Sequence, residues 1–371
     1  MKLFQCIHRY PPHIPGFEKR YQIREKGYSF DQIVQLLLKD GYASTYILNP
    51  EHIPESDHEL FFTIWDYEYL QHQWASENGL KTKNLDEIKL AQLEAFQPDV
   101  FYNHSPRYDN NFIEKLPKNS PYKKICWDAV VSKYPPLHEA YEARLTLLRN
   151  FVDYWTSKGL YSAILRPSFI HYWDDMDTSE RPIDILFYGQ YLDIYYNRRN
   201  ERIQNLLKWL EDKPYNAKIH LQYAEGRKPL INKRIWRRLT RFIKSPPKIV
   251  REMSLPPIYG DDLYTAIGHS KIVLNWFGDY NGLYHDNMRN FETMSGGALL
   301  ISEDGIYPKG LIPEDDFLIF RDTDEMFSKI DFALSLPDQG RSIAERTRGK
   351  VKSQFSKSRQ WNSFMEVLGK L

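Results

Sequence analysis

Short apolar runs alternate with segments of helical periodicity over the first 166 residues. The runs from Lys2 to Ile7 and from Ser44 to Leu48 predict strands, and Phe30 to Leu38 between them predicts a helix. The same pattern continues with strands at 60–65, 99–103, 125–131 and 151–156 and helices at 85–96 and 137–148. Strands that alternate with helices favour a parallel sheet covered on both faces.

A second alternating series follows a stretch without this periodicity. Residues 167–182 begin at Pro167, are rich in acids from Asp174 to Glu180 and end at Pro182, so they predict a linker. The later pattern predicts strands at 183–188, 217–223, 271–275, 298–302 and 317–320 and helices at 200–210, 261–268 and 287–295.

These two series predict an α/β protein of two doubly wound Rossmann-like domains that face a cleft. The first domain is expected at 1–166 and the second at 183–345, with the linker at 167–182. The last segment, 346–371, is helical in pattern and basic. It either caps the second sheet or crosses back onto the first.

Composition narrows the class of protein. Lys and Arg number 50 against 49 Asp and Glu, and this net charge of +1 disfavours a dedicated nucleic-acid binder. Cys6 and Cys126 are too few for a disulfide scaffold or a cysteine metal site, which fits a reducing compartment. His8 and Arg9 follow the first apolar run before a signal-peptide core is reached, and no run reaches the roughly 20 apolar residues of a membrane span. We therefore expect a cytoplasmic protein.

The segment from Asn287 to Ile301 is the most informative for chemistry. A short helix is predicted to begin after Asp286 as N-cap and to end at Gly296 and Gly297, which lead into a buried strand. Its N-terminus faces the strand ends and offers free N–H groups and a positive dipole end. This arrangement is typical of a diphosphate site.

Two side chains of that helix suit a nucleotide. Arg289 stands beside the helix N-terminus, and Glu292 shares its face and is able to accept two hydrogen bonds from a ribose diol. The alternative is a surface ion pair between them, worth less than about 1 kcal/mol.

The sequence resembles the C-terminal half of CgeB-like glycosyltransferases of the group 1 type. The segments that carry the resemblance are 183–189, 259–275, Arg289-Asn290-Phe291-Glu292 and Gly296-Gly297, within roughly residues 183–365. The resemblance implies a GT-B enzyme whose second domain binds a nucleotide-sugar donor and whose first domain gathers the acceptor. The donor-binding residues that it implies, with Glu292 on the ribose and Arg289 and Gly189 at the diphosphate, are Gly189, Arg198, Arg199, Tyr259, Asn275, Asn287, Arg289, Glu292, Gly296 and Gly297.

The sequence departs from the family pattern at Tyr284, eight positions before Glu292, where many retaining relatives have a Glu that holds the donor sugar. Asp174, Asp175 and Asp177 suggest a metal site, but we reject it in favour of a solvated acidic linker. In a GT-B site, arginine and helix-dipole groups neutralise the leaving diphosphate. We therefore expect no metal and no other cofactor.

The catalytic and acceptor-binding residues of the first domain are expected at the carboxyl ends of its strands. An inverting transferase needs a base for the acceptor hydroxyl, and the loop after the first strand offers His13 and Glu18. The acceptor-side candidates, for each of which a structural role is the alternative, are His8, Asp66, His104 and Asp128.

Residues 227–251 hold ten basic side chains and no acid. Apolar residues such as Ile235, Leu239 and Phe242 recur there at helical spacing, next to Trp236, as in helices that lie on a membrane surface. This pattern predicts docking on an anionic membrane. The alternatives are nucleic-acid binding, which the neutral chain disfavours, and an insertion packed on the sheet.

Together these observations predict a glycosyltransferase that moves a sugar from a nucleotide-diphosphate donor to a hydroxyl of a glycan or lipid-linked acceptor. Its expected place is polysaccharide or glycoconjugate synthesis in the cytoplasm, with peripheral attachment to the inner face of the membrane. The alternatives are a nucleotide-sugar epimerase of the same fold and a non-catalytic nucleotide-binding assembly protein.

Overall fold

The chain forms two compact units, each built on its own parallel sheet. The computed structural model describes residues 1–49, 57–117, 119–130, 132–192, 197–223, 246–278 and 282–371. Unit 1 comprises Met1–Phe169 and Phe355–Leu371, and unit 2 comprises Ile170–Gln354. The α/β class agrees with the sequence pattern. After unit 2 the chain returns to unit 1 at Phe355.

The sheet of unit 1 has six parallel strands among the described residues, in the order β2-β1-β3-β4-β5-β6. Residue Cys6 of the first strand pairs with Thr63 on one side and with Asn103 on the other. The strands are β1 Lys2–Ile7, β2 Glu59–Ile64, β3 Val100–Asn103, β4 Lys123–Trp127, β5 Ala143–Thr146 and β6 Ser162–Ile164. Because all are parallel, their carboxyl ends lie along one edge of the sheet.

Helices cover this sheet and begin where capping residues allow. Ser29 and Gln32 form a capping box at the start of α3, and Ile33, Val34 and Leu37 then bury one face of that helix. The helices of unit 1 before the chain leaves it are α1 His13–Tyr21, α2 Ile23–Lys26, α3 Phe30–Lys39, α4 Glu68–Glu77, α5 Leu85–Phe96, α6 Asn110–Ile113 and α7 Arg149–Ser157.

The sheet of unit 2 has five parallel strands in the described ranges, in the order β11-β10-β9-β7-β8. They are β7 Ile183–Gln190, β8 Ala217–Gln222, β9 Ser270–Asn275, β10 Leu299–Glu303 and β11 Leu318–Phe320. The helices are α8 Asn197–Leu210, α9 Lys248–Met253, α10 Gly260–Gly268, α11 Met288–Ser295, α12 Thr323–Ser335 and α13 Pro337–Gln354.

The C-terminal helix α14, Lys357–Leu368, belongs to unit 1. Its Trp361 and Phe364 are buried in one core cluster with Tyr102 of the first sheet. The buried Lys357 ammonium donates to the Ile47 carbonyl at 2.8 Å. The predicted segment 346–371 is therefore divided: residues up to Gln354 end α13 in unit 2, and the return to the first sheet is confirmed for Phe355–Leu371.

Three predicted elements of the first half are wrong. Residues 44–46 lie in a turn and residues 47–48 are irregular, so the predicted strand is absent there. Instead β2 pairs with β1, and the Gln5 side-chain amide donates to the Leu48 carbonyl at 2.7 Å. Residues 137–148 contain β5, and residues 151–156 lie in α7. In both cases burial on the folded sheet decides the element, because Leu145 is buried within β5 while Phe151 and Trp155 bury one face of α7.

The predicted linker is not solvated throughout. Trp173 is 1% exposed and packs in the core of unit 2 with Tyr264 and Ile267. The chain passes between the units after Phe169 and after Gln354. The sequence pattern predicts a linker at 167–182 and the end of the second domain at residue 345. Within the described ranges, no helix is long and apolar enough to cross a membrane.

Candidate functional site

Arg289 and Glu292 of α11 both contact Tyr188, near the carboxyl end of β7. The Arg289 guanidinium donates from Nη2 to the Tyr188 carbonyl at 2.5 Å and from Nη1 to Asn275 Oδ1 at 2.7 Å. It also lies over the Tyr188 ring, with 4.6 Å between the guanidinium carbon and the ring centroid. The Nε atom of Arg289 is buried and has no hydrogen-bond partner in the part of the chain that the structure describes. Among the same residues no acidic side chain pairs with Arg289, which is held in place by the Tyr188 carbonyl and the Asn275 amide.

Glu292 accepts a hydrogen bond from the Tyr188 hydroxyl at 2.5 Å, through its Oε2 atom. Among the described residues nothing donates to Oε1, and Arg289 and Glu292 form no ion pair with each other, so the surface-pair alternative is wrong. Burial raises the pKa of Glu292, although the Tyr188 hydroxyl and the Arg289 charge act in the opposite direction. A half-buried carboxylate with one oxygen left for a ligand is suited to accept hydrogen bonds from a diol.

Gly189 is the point where two guanidinium groups converge. A Cβ at this position would lie 2.0 Å from Nη2 of Arg199 and 3.1 Å from Nη2 of Arg289. No side chain larger than hydrogen fits there while both arginines keep their places. The strand end therefore carries two positive charges on a stretch of backbone that a ligand is able to approach closely.

A buried amide cluster holds this arrangement. Asn275, at the end of β9, donates to Asn290 Oδ1 at 2.6 Å and exchanges hydrogen bonds with Asn287 at 3.0 Å. Asn287 is the N-cap of α11, where Asp286 had been predicted, and its side chain faces Asn275 instead of capping the helix. The Asn287 side chain therefore accepts no hydrogen bond from the first N–H groups of α11.

Two further predicted donor residues lie near strand ends of the same sheet. Arg198 forms an ion pair with Glu303 at 3.1 Å, and Arg202 contacts the same carboxylate at 2.6 Å. Tyr259 is the N-cap residue of α10, and its hydroxyl donates to Gln222 Oε1 at 3.0 Å. Arg198 is about half exposed and is thus a weaker candidate for the diphosphate than Arg199.

The structure separates the glycine pair from this cluster. Gly297 has a φ of +68°, which confirms the predicted left-handed end of the helix. A Cβ on Gly296 would lie 2.6 Å from Ile267 and one on Gly297 3.0 Å from the Arg181 guanidinium. Both glycines stand at the end of α11 that leads into the start of β10, opposite to its N-terminus. Their predicted donor-binding role does not fit this placement, and close packing explains them.

In unit 1, His8 and Asp66 form a pair at the carboxyl ends of β1 and β2. His8 Nε2 lies 2.8 Å from Asp66 Oδ2, with the two side chains 25% and 12% exposed. The Arg9 backbone N–H donates to the other carboxylate oxygen at 2.7 Å. The His8 ring stacks on Tyr108 with 4.3 Å between centroids. The carboxylate thus orients an imidazole that is still reached by solvent.

His13 and Glu18, the two predicted bases, are used within the fold. They lie on α1, which replaces the predicted loop. The His13 side chain is 3% exposed, and its Nε2 lies 2.7 Å from the fully buried Asp40. Glu18 accepts hydrogen bonds from Arg24 at 2.6 Å and from the Tyr67 hydroxyl at 2.7 Å. Neither group is placed to take a proton from a ligand, and His8 is the better candidate.

The other two acceptor-side candidates are buried at the same edge. His104 lies 3.1 Å from Gln5 Oε1, and burial together with the Lys357 charge lowers its pKa to about 3. Asp128 accepts hydrogen bonds from Arg107 at 2.7 Å and from His138 at 2.9 Å. Burial alone would raise the pKa of Asp128, but these two partners bring it below its usual value. Both side chains are engaged by buried groups at the strand ends.

The acidic stretch 174–180 makes its contacts within unit 2. Asp174 binds Lys352 at 2.9 Å and Arg348 at 3.3 Å, while Asp177 accepts the Ser179 N–H at 2.9 Å. Among the described residues there is no cluster of acidic, histidine or cysteine side chains suited to a metal ion. Of residues 227–251, those up to 245 lie outside the described ranges.

Sequence reasoning missed Tyr188, although it joins Arg289 to Glu292. The available signal was its position directly before Gly189 at a predicted strand end. It also missed the pairing of His8 with Asp66, because the sequence does not show that β2 lies beside β1.

A family model matches part of the chain. Residues 199–366, which include Arg199, Arg289 and Glu292, match a family model described as glycosyl transferase-like. A search of curated proteins finds no match.

Solved structures share the fold at low sequence identity. Anabaena Alr3699/HepE, solved with UDP and glucose, is 11% identical with a TM-score of 0.53, and 100% of both chains is covered. Sucrose-phosphate synthase from Thermosynechococcus elongatus is 12% identical with a TM-score of 0.50, again over 100% of both chains. TarM is 10% identical with a TM-score of 0.50, over 77% of this chain and 58% of its own. This chain thus spans less than two thirds of TarM. The two Rossmann-like units have the GT-B fold of these proteins.

Proposed function

We propose that this protein is a glycosyltransferase that takes a sugar from a nucleotide-diphosphate donor. The observation that carries the proposal is the cluster at the end of β7, where Arg289 and Glu292 meet at Tyr188 beside Gly189. Arg289 and Glu292 also lie inside the glycosyl transferase-like segment. The HepE structures with UDP and with UDP-glucose show that a protein of this fold binds such a donor.

The proposed donor site assigns a separate role to each group. Arg289 and Arg199 neutralise the diphosphate at Gly189, with the N–H groups at the start of α11. Glu292 accepts hydrogen bonds from the ribose diol through Oε1, while Tyr188 holds Oε2 in place. As the bond from the sugar to the diphosphate breaks, the arginines stabilise the charge that develops on the leaving oxygen. In this scheme no metal is required.

In unit 1 we assign His8 as the base for the acceptor hydroxyl. Asp66 binds Nε2 and leaves Nδ1 to take the hydroxyl proton as the acceptor oxygen bonds to the anomeric carbon. The exposed Tyr108 stacks on the His8 ring, and Tyr10 follows two residues after His8 with its side chain 39% exposed. Exposed aromatic side chains of this kind are suited to packing against sugar rings. We therefore propose a glycan or the sugar part of a lipid-linked glycan as acceptor.

Peripheral membrane binding through residues 227–251 remains part of the proposal on sequence grounds. Each Lys or Arg near an anionic surface contributes about 1 kcal/mol. Vesicle co-sedimentation of wild type and of a variant with Arg234, Arg237, Arg238 and Arg241 changed to Glu tests it. Equal partitioning of both proteins on anionic vesicles would contradict it.

Calorimetry with nucleoside diphosphates, beginning with UDP, tests the donor site. Loss of one hydrogen bond to a charged group predicts that Glu292→Gln weakens binding by about 1.5–3 kcal/mol. Glu211→Gln, an exposed residue just beyond the far end of α8, is the matched control and should bind as wild type. Equal affinities of wild type and Glu292→Gln would contradict the ribose assignment.

A turnover assay separates the proposal from its alternatives. Release of nucleoside diphosphate that depends on an added glycan acceptor supports a transferase. Conversion of the donor sugar without acceptor would indicate an epimerase. Binding without any turnover over a panel of donors and acceptors would indicate a non-catalytic protein.

A further inference from the structure

A cationic cavity of about 590 Å³ lies at the other end of the unit 2 sheet. Its walls are the stretch 174–181 before β7, Gly297 before β10, and one side of α13. Arg181 and Tyr188 are separated by most of β7, which places this cavity roughly 20 Å from the proposed donor site. It takes no part in the function proposed above.

The charges around the cavity are unequal. Four cationic side chains, Arg181, Arg341, Arg348 and Lys352, face two carboxylates. Arg348 and Lys352 share Asp174, at 3.3 and 2.9 Å, and Arg341 uses Glu345 at 3.0 Å. The lining therefore carries an excess of two positive charges.

Arg181 contributes an uncompensated positive charge to the cavity. It donates to the backbone carbonyls of Ser270 at 2.8 Å and Gly296 at 3.0 Å, and no acidic side chain of the described residues pairs with it. Burial, together with the charges of Arg341 and Arg348, lowers the pKa of Arg181 to about 10. An anion in the cavity would offset this repulsion and would stabilise all three guanidinium groups.

Glycines leave the walls open for a ligand. Gly297 lies against the Arg181 guanidinium, at 3.0 Å from the position of a Cβ. Gly349 lies in α13, and a Cβ there would meet nothing within 4 Å. A ligand therefore has space beside Gly349 and reaches Arg181 past Gly297 without displacing a side chain.

A neighbouring cavity of about 370 Å³ extends the same site. It shares Ser179, Arg181, Gly297 and Arg341 with the first cavity. Its other walls combine apolar side chains with three charged ones, and the double cavity as a whole keeps an excess of one positive charge. The apolar side chains are Ile272, Leu299, Ala333 and Ala344, and the charged ones are Glu180, Lys271 and Asp338. The two cavities together match a molecule with an anionic head and a small, partly apolar body.

We propose that this double cavity binds a phosphate monoester, with the phosphoryl group among Arg181, Arg341 and Arg348 and the organic part toward Ile272. Guanidinium groups bind phosphate oxygens through paired hydrogen bonds, and this geometry favours a phosphoryl group over a carboxylate of lower charge. The site is distinct from the donor site, so it is open to a ligand while the donor site is occupied.

Calorimetry at constant ionic strength tests the proposal, with phenyl phosphate and inorganic phosphate as probes. We expect wild type to bind phenyl phosphate more tightly than inorganic phosphate, because the second cavity accepts the ring. Gly349→Glu places a carboxylate in the open space and should weaken both probes by at least about tenfold, the equivalent of one charge-assisted hydrogen bond. Gly349→Ala is the matched control and should bind as wild type.

Two further variants make the result decisive. Arg341→Gln alters a half-exposed side chain that donates to the Ser179 carbonyl at 3.2 Å, and it should also weaken phenyl phosphate binding. Arg289→Gln alters the donor site and should leave the affinity for phenyl phosphate unchanged. The proposal would be overturned if wild type bound neither phenyl phosphate nor phosphatidic acid vesicles, or if Gly349→Glu and Arg341→Gln bound as tightly as wild type. Loss of phenyl phosphate binding in Arg289→Gln would overturn it as well. Binding of phosphatidic acid vesicles but not phenyl phosphate would place the monoester on a lipid.

Discussion

Replacement of Gly189 by alanine tests the donor site with the smallest change. The added Cβ would lie 2.0 Å from Nη2 of Arg199 and 3.1 Å from Nη2 of Arg289. Carbon contacts in proteins are comfortable at about 3.5–4.0 Å, so the Arg199 guanidinium must move by about 1.5 Å or more. The backbone of Gly189 does not have a positive φ, and alanine itself is therefore tolerated in the strand.

The magnitude follows from the groups that move. A hydrogen bond to a charged group contributes about 1.5–3 kcal/mol, and a displaced Arg199 loses at least one to the diphosphate. We expect the Kd for UDP to rise by about ten- to hundredfold. The clash involves the end of a flexible side chain, so the free energy of unfolding should change by no more than about 1 kcal/mol.

Calorimetry with UDP and urea unfolding together decide the outcome. Gly16→Ala is the matched control, because Gly16 lies in α1 of unit 1 and a Cβ there meets nothing within 4 Å. It should leave UDP binding unchanged. A folded Gly189→Ala protein that binds UDP as tightly as wild type would refute the convergence of the two arginines on the diphosphate.

Four further predictions follow from other parts of the structure. Burial raises the pKa of Glu292, so this carboxylate takes up its proton at a higher pH than an ordinary glutamate does. As the pH is lowered, UDP affinity should therefore begin to fall earlier, and calorimetry should show that this part of the pH dependence is lost in Glu292→Gln. His8→Asn should lower kcat by about 10²–10⁴-fold with an unchanged Kd for UDP, whereas an unchanged kcat would exclude His8 as base. Asp40→Ala removes one partner of the buried His13 pair and should lower the free energy of unfolding by about 3–5 kcal/mol in urea titrations; a change under about 1 kcal/mol would contradict this. Transfer should persist in excess chelator, and rescue of a lost activity by magnesium or manganese would contradict the metal-free site.

Periodicity predicted unit 2 better than unit 1. Its strands are short continuous apolar runs flanked by loop residues, and the predicted 183–188 and 271–275 coincide closely with β7 and β9. In unit 1 the segment 137–148 has apolar residues at helical spacing among charged ones, but Leu145 is buried in β5, between β4 and β6. Short segments of this kind fit a helix or a strand, and only the partners on the sheet decide between them.

The sequence by itself determined the α/β class and the placement of the α11 N-terminus at the strand ends. Both follow from local rules, since caps, glycines and periodicity act over a few residues. It also indicated Arg289 and Glu292 as candidate donor-binding residues, and the family resemblance added Gly189. Only the tertiary structure decided which histidine is accessible. His8 and His13 both follow β1 in the chain, yet one pairs with Asp66 at the sheet edge and the other is buried on Asp40. It likewise decided that Gly296 and Gly297 pack at the far end of α11 and that arginines from 181 to 348 surround one cavity, because such groups are brought together by contacts between residues far apart in the chain.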